Sequence, residues 1–186
     1  KLFWLYLLAV IFIAAGYVDF PLIAYHFKKM NLMSDASIPV LYSVAMAAQG
    51  IAALLLGKIF DKWGMKTMIY ITVISLFFAP MVFLGGFIWA IFGMIIWGIG
   101  MGAQESVLKA AVAELIPAYK RGTAFGVFNA GFGIFWFLGS VALGYLYDFS
   151  IPWLVIFSMG MQAIAVIIFW ILLYKSKNNK NISFSR

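Results

Sequence analysis

The sequence predicts an all-α membrane protein of six transmembrane helices, arranged as two inverted three-helix repeats. Composition comes first: of 186 residues, 66% are hydrophobic and 10% charged, where a soluble domain averages roughly half apolar and a quarter charged. Apolar stretches then recur along nearly the whole chain. At about 1.5 Å of rise per residue each can cross a hydrocarbon layer of about 30 Å. Finally, the strict alternation that a barrel strand requires is absent, so helices, which satisfy their own backbone groups, are the expected form in lipid.

The first span reads as Leu2 to Tyr25 and closes at the polar segment HFKKMNLMSDAS. The second, Ile38 to Phe60, runs into DKWGMK. The third, Thr67 to Leu84, stops at Gly85 and Gly86, where two residues without a Cβ permit a turn. The fourth, Phe87 to Leu115, ends at PAYKRG, whose proline cannot continue the helix. The fifth is Thr123 to Tyr147, and DFSI separates it from the sixth, Pro152 to Tyr174. The expected organisation is a bundle over residues 1–174, divided into units 1–87 and 88–174, with a basic cytoplasmic tail over 175–186.

Charge sets orientation. With the first terminus inside, the inner segments hold Lys1, Lys58, Lys62, Lys66, Lys120, Arg121, Lys175, Lys177, Lys180 and Arg186, and the outer ones Lys28 and Lys29. Ten against two is a strong positive-inside bias, so both ends are expected in the cytoplasm of a multi-pass protein of the plasma or inner membrane. The net charge of +7 is then a topological mark and an attraction for anionic lipids, and no nucleic-acid partner is implied. Cysteine is absent, which excludes disulfides and thiolate metal sites. The sequon at Asn181 falls on the cytoplasmic side and is read as chance.

A shift of 87 residues aligns Leu56, Gly57 and Asp61 at the end of the second span with Leu143, Gly144 and Asp148 at the end of the fifth. Three crossings are an odd number, so the second unit enters the membrane inverted, a recurrent transporter design with its solute site near mid-membrane.

The segment GKIFDKWGMK, from Gly57 to Lys66, resembles the G-x-x-x-D-R/K-x-G-R-R/K loop of the major facilitator superfamily, between the second and third helices of a six-helix half. Gly57, Asp61, Lys62, Gly64 and Lys66 match, and Met65 stands where a basic residue is usual. The run AELIPAYKRGTAFG, from Ala113 to Gly126 and including Arg121, is similar to the link between that family's fourth and fifth helices. The resemblance implies a twelve-helix transporter whose halves rock against each other, with this chain as the C-terminal half. Lys1 directly before a span and a basic tail after Tyr174 fit such a piece. The expected partners are the missing N-terminal half, in the same chain or a homodimer partner, and a small-molecule solute. In the gating loop Gly57 is expected to permit close helix contact, Gly64 a tight turn, and Asp61 a contact with a helix N-terminus or basic group.

Two charges, Glu105 and Lys109, lie in the interior of the fourth span. Gly98, Gly102, Glu105 and Lys109 follow steps of 4, 3 and 4 and so share one face. That face must meet protein or water, because a charge at the bilayer centre costs about 2.5–3.5 kcal/mol even on insertion scales. Glu105 and Lys109 either neutralise each other as an i, i+4 pair or serve solute and proton, and Lys109 alone can snorkel. Asp19 lies 86 residues before Glu105, beside Pro21, which frees the carbonyl of Tyr17. It is a candidate ion or solute contact, or a helix cap. Gln49, Gln104 and Asn129 are further pathway candidates, with His26, the single histidine, as boundary residue or relay. Among the aromatics Tyr17 and Trp136 are the candidate solute contacts.

No G-x-S-x-G, H-E-x-x-H or cysteine is present, so an enzyme is not expected, nor is a cofactor or metal. A six-helix channel or assembly subunit is the alternative to an ion- or proton-coupled secondary transporter.

Overall fold

The computed structural model describes residues 2–178. Helices α1 (Leu2–Gly16) and α2 (Phe20–Lys29) form the first span, α3 (Ser37–Trp63) the second, and α4 (Lys66–Ser75) with α5 (Phe78–Phe83) the third. Then follow α6 (Phe87–Leu115), a 3₁₀ turn at Ala118–Lys120, α7 (Arg121–Phe149) and α8 (Ile151–Asn178). Among the described residues six spans are long and apolar enough to cross a membrane, and no strand occurs. The fold is all-α, as the composition requires.

Spans one and three are each broken, and in both a proline supplies the reason. Pro21 sits in the first turn of α2, where its missing N–H costs least, and Tyr17, Val18 and Asp19 lie outside the helices. The break exposes carbonyls that distant side chains then satisfy: Trp97 Nε1 donates to Val18 O at 2.8 Å and Ser158 Oγ to Gly16 O at 2.6 Å. In the third span Pro80 cannot donate to the carbonyl of Leu76. The chain there tightens to a 3₁₀ bond, from Phe77 N–H to Ile74 O at 3.2 Å, between α4 and α5.

Short connections keep the helices antiparallel. Leu84, Gly85 and Gly86 join α5 to α6, and a Cβ on Gly85 would strike the Met81 carbonyl and Trp89. Ser150 alone separates α7 from α8, its N–H bonded to Leu146 O at 2.7 Å. The last helix runs to Asn178, so the segment expected as a tail from 175 begins as helix. Lys1, Lys180, Arg186 and the Asn181 sequon lie outside the described residues.

The packing is crossed between the two halves of the chain. Helix α3 lies along α6, and α1 lies against both α7 and α8. Small residues set the close contacts: a Cβ on Gly98 would collide with the carbonyl of Ala45, one on Gly102 with that of Gln49, and one on Gly139 with that of Ala15. In a bilayer, where lipid is as apolar as leucine, such backbone approach is a principal source of helix association. The core between these contacts is aromatic and aliphatic, with Tyr6, Tyr17, Phe27, Phe78, Phe128 and Phe169 fully enclosed. By contrast α3 and α7 bury few residues, and α7 turns Ile134, Phe137, Leu138 and Tyr145 outward.

Candidate functional site

Helices α6 and α7 touch each other little, and the space between them is a cavity of about 270 Å³ lined by Met101, Gln104, Glu105, Lys109, Phe128, Asn129, Phe132 and Trp136. The spacing of the lining follows from helical geometry. Positions 101, 105 and 109 repeat every four residues on α6, and 128, 132 and 136 do the same on α7. One wall therefore carries charge, and the other is aromatic with one amide.

Glu105 and Lys109 are both exposed to this cavity. They do not neutralise each other. Among the described residues the sole ion pair joins Lys28 to Asp35 at 2.9 Å, on the surface, where such a pair contributes about 0–1 kcal/mol. The stripe predicted along α6 is real but divided in use: Gly98 and Gly102 pack on α3, while Glu105 and Lys109, further along, face the cavity.

Asp19 joins the site through Trp136. The indole Nε1 of Trp136 donates to Asp19 Oδ1 at 2.5 Å, and Ser140 Oγ donates to Asp19 Oδ2. Asp19 occupies the cap position before α2, yet its side chain makes no capping bond. Its carboxylate points to α7 instead. Ser140, one turn beyond Trp136, was not legible in the sequence, since nothing local marks a serine that answers a carboxylate 121 positions away.

The remaining candidates separate. Asn129 lines the cavity. Gln104 does so too, although its side chain is mostly buried. Gln49 lies against α6 at Gly102, its Oε1 buried without a protein partner. His26 stands apart at the opposite end of the first span from Leu2, buried with its Nδ1 3.1 Å from Tyr147 Oη and its ring against Phe83. Tyr17 is enclosed, donates to Trp97 O at 2.5 Å and stacks among Phe78, Trp97 and Trp136, which makes it a packing hub.

In the loop from Gly57 to Lys66, Gly64 adopts φ 56° and ψ −137°, a left-handed conformation that favours glycine, and its N–H closes on Phe60 O at 2.6 Å. Met65, the departure from the basic pattern, is fully buried in the core. A methionine here anchors the turn by its apolar side chain. Gly57 differs from expectation: nothing lies within 4 Å of where its Cβ would be, so within these helices it marks no close approach. Asp61 is exposed and makes no ion pair among the described residues. Arg121 caps the end of α6, its Nε 3.3 Å from Ile116 O.

The family model of the Major Facilitator Superfamily matches residues 2–185. The chain belongs to that superfamily. It is a family of transporters, not of enzymes, and the six membrane-capable helices fit half of its fold. Relatives include uncharacterized proteins of Mycobacterium bovis and of two strains of Mycobacterium tuberculosis, each 33% identical over 165 residues, which is 89% of this chain and 40% of the relative. The chain thus spans about 40% of the length of the curated relatives it matches. No solved structure gives a significant match. Among the described residues no three His, Asp or Glu side chains gather to hold a metal.

Proposed function

We propose that this chain is the C-terminal half of a secondary active transporter that moves a small solute by alternating access, with movement coupled to an ion, most simply a proton. The observation that carries the proposal is the cavity in which Glu105 and Lys109 stand unpaired on a membrane-depth helix. Two uncompensated charges are tolerated at that depth when water or protein covers them. The covering element is the other six-helix half, placed against the sparsely buried α3 and α7. Lys109 offers its ammonium to an anionic group of the solute, and Glu105 takes and releases the coupling proton as its surroundings change.

The crossed packing supports an inverted repeat. If spans one to three correspond to four to six, then the contact of α3 with α6 corresponds to that of α7 with α1, and the contact of α5 with α6 to that of α8 with α1. These are the pairings an in-plane two-fold axis exchanges. The inner loop with Asp61 and Gly64 would then gate the cytoplasmic side, both ends of the chain lying in the cytoplasm and the basic inner segments near anionic lipid.

The test uses the full-length protein in liposomes given a soluble metabolite extract and an imposed pH difference, with the lumen read by mass spectrometry. One or more solutes should concentrate inside with the wild type. Glu105→Gln should let the same solutes equilibrate without concentrating them. Accumulation by Glu105→Gln at the wild-type level would remove the proton role, and solute flux unaffected by any ion gradient would remove coupled transport.

A further inference from the structure

Behind the α6–α7 cavity lies a second, much smaller one, of about 20 Å³, bordered by Met68, Thr72 and Ser75 of α4, Gln104 of α6 and Gln162 of α8. Gln104 is 8% exposed and Gln162 fully buried. Neither atom of the Gln104 amide meets a protein partner, and Gln162 Oε1 meets none, its Nε2 lying 3.5 Å from Ser158 Oγ. The side chains that carry these three amide atoms, all of which ought to be hydrogen-bonded, border one small space between three spans. Buried polar groups are very rarely left orphaned in a native interior.

We infer that this cavity is a binding site for one ordered water molecule, which bridges Gln104 to Gln162 and ties the fourth and sixth spans together. The volume fits, since a cavity needs roughly 10–15 Å³ to admit a single water and two to four polar partners to hold it. The chemistry also fits. Gln104 presents a donor and an acceptor and Gln162 an acceptor, and a water can answer both kinds at once. A monovalent cation fits less well, because the Gln104 amide N–H₂ is a donor and no carboxylate borders the site.

Gln104 also borders the larger cavity. One side chain therefore separates the bridging water from the space where Glu105 and Lys109 stand, and a displacement of α6 reaches the water site directly. This inference is independent of the transport reading.

X-ray hydroxyl-radical footprinting of the full-length protein tests it, because radicals born at a bound water oxidise the neighbouring side chain even when it is buried. Met68 borders the site at 3% exposure, while Met65 and Met94 are fully buried and do not border it. Met68 should be oxidised at least ten-fold faster than Met65 or Met94, and Gln104→Leu or Gln162→Leu should bring it down to their rate. A wild-type Met68 rate equal to that of Met65 and Met94 overturns the inference, whether or not the variants fold. So does a fast rate unchanged by both substitutions, or one abolished by sodium or potassium but not by choline, which would make the occupant a cation.

Discussion

Trp136 holds Asp19: the indole N–H of α7 reaches the carboxylate at the break of the first span, 2.5 Å away, while the same ring walls the cavity of Glu105 and Lys109. The break of the first span is thereby tied to α7, the wall that faces Glu105 and Lys109 across the cavity. Asp19 also accepts from Ser140, so its oxygens are satisfied by neutral donors. Replacing it with alanine strands both donors and should cost about 1–3 kcal/mol of stability. Asp19→Asn keeps an acceptor and should lose less. Thermal or denaturant unfolding of the full-length protein distinguishes the two, and equal losses would mean that the donors do not matter.

The glycines of α6 and α3 should respond oppositely to the same change. Gly98→Ala drives a methyl into the carbonyl of Ala45 and should destabilise by about 1–3 kcal/mol, as overpacking does. Gly57→Ala meets open space, and alanine is the better helix former by about 1 kcal/mol, so the described helices should lose nothing by it. Paired melting curves decide. A neutral Gly98→Ala would show that α3 and α6 do not approach as closely as they do here.

The spans place the loop of Ser34 and the loop of Lys62 at opposite ends of the bundle. With Lys58, Lys62, Lys66, Lys120, Arg121 and Lys175 at one end and Lys28 and Lys29 at the other, the basic end should be cytoplasmic. Cysteine introduced at Ser34 should react with an impermeant maleimide from outside intact cells, and cysteine at Lys62 only after the membrane is opened. The reverse pattern would invert the topology.

The fold was legible because a bilayer imposes a length and a polarity on every crossing, and Phe87–Leu115 appears with the expected bounds. Gly64 was legible for a similar reason, since a turn between basic helix ends calls for a positive φ. The helix breaks were half legible: Pro21 drew attention to Asp19, but Pro80 passed unremarked. The partners of these breaks were not legible. Trp97, Ser140 and Ser158 act on backbone or carboxylate groups 79, 121 and 142 positions away, and no local pattern marks a side chain chosen by tertiary packing. The same holds for Glu105 and Lys109, whose i, i+4 spacing suggests a pair while the packing of α7 leaves a cavity beside them. Gln162 escaped notice because a single amide in an apolar helix gives no hint of which neighbour it faces.

The most direct test of the central claim, that the α6–α7 cavity is opened to the two sides of the membrane in turn under the control of Glu105, needs no knowledge of the solute. Cysteine placed at Asn129 of the full-length protein reports on the cavity when an impermeant thiol reagent is applied from either side at two pH values. Labelling is expected from both sides, with the rate from one side rising as the other falls when the pH is changed, and with that exchange absent in Glu105→Gln. Rates that rise and fall together would describe a channel, and no labelling from either side would mean that the cavity is not a pathway.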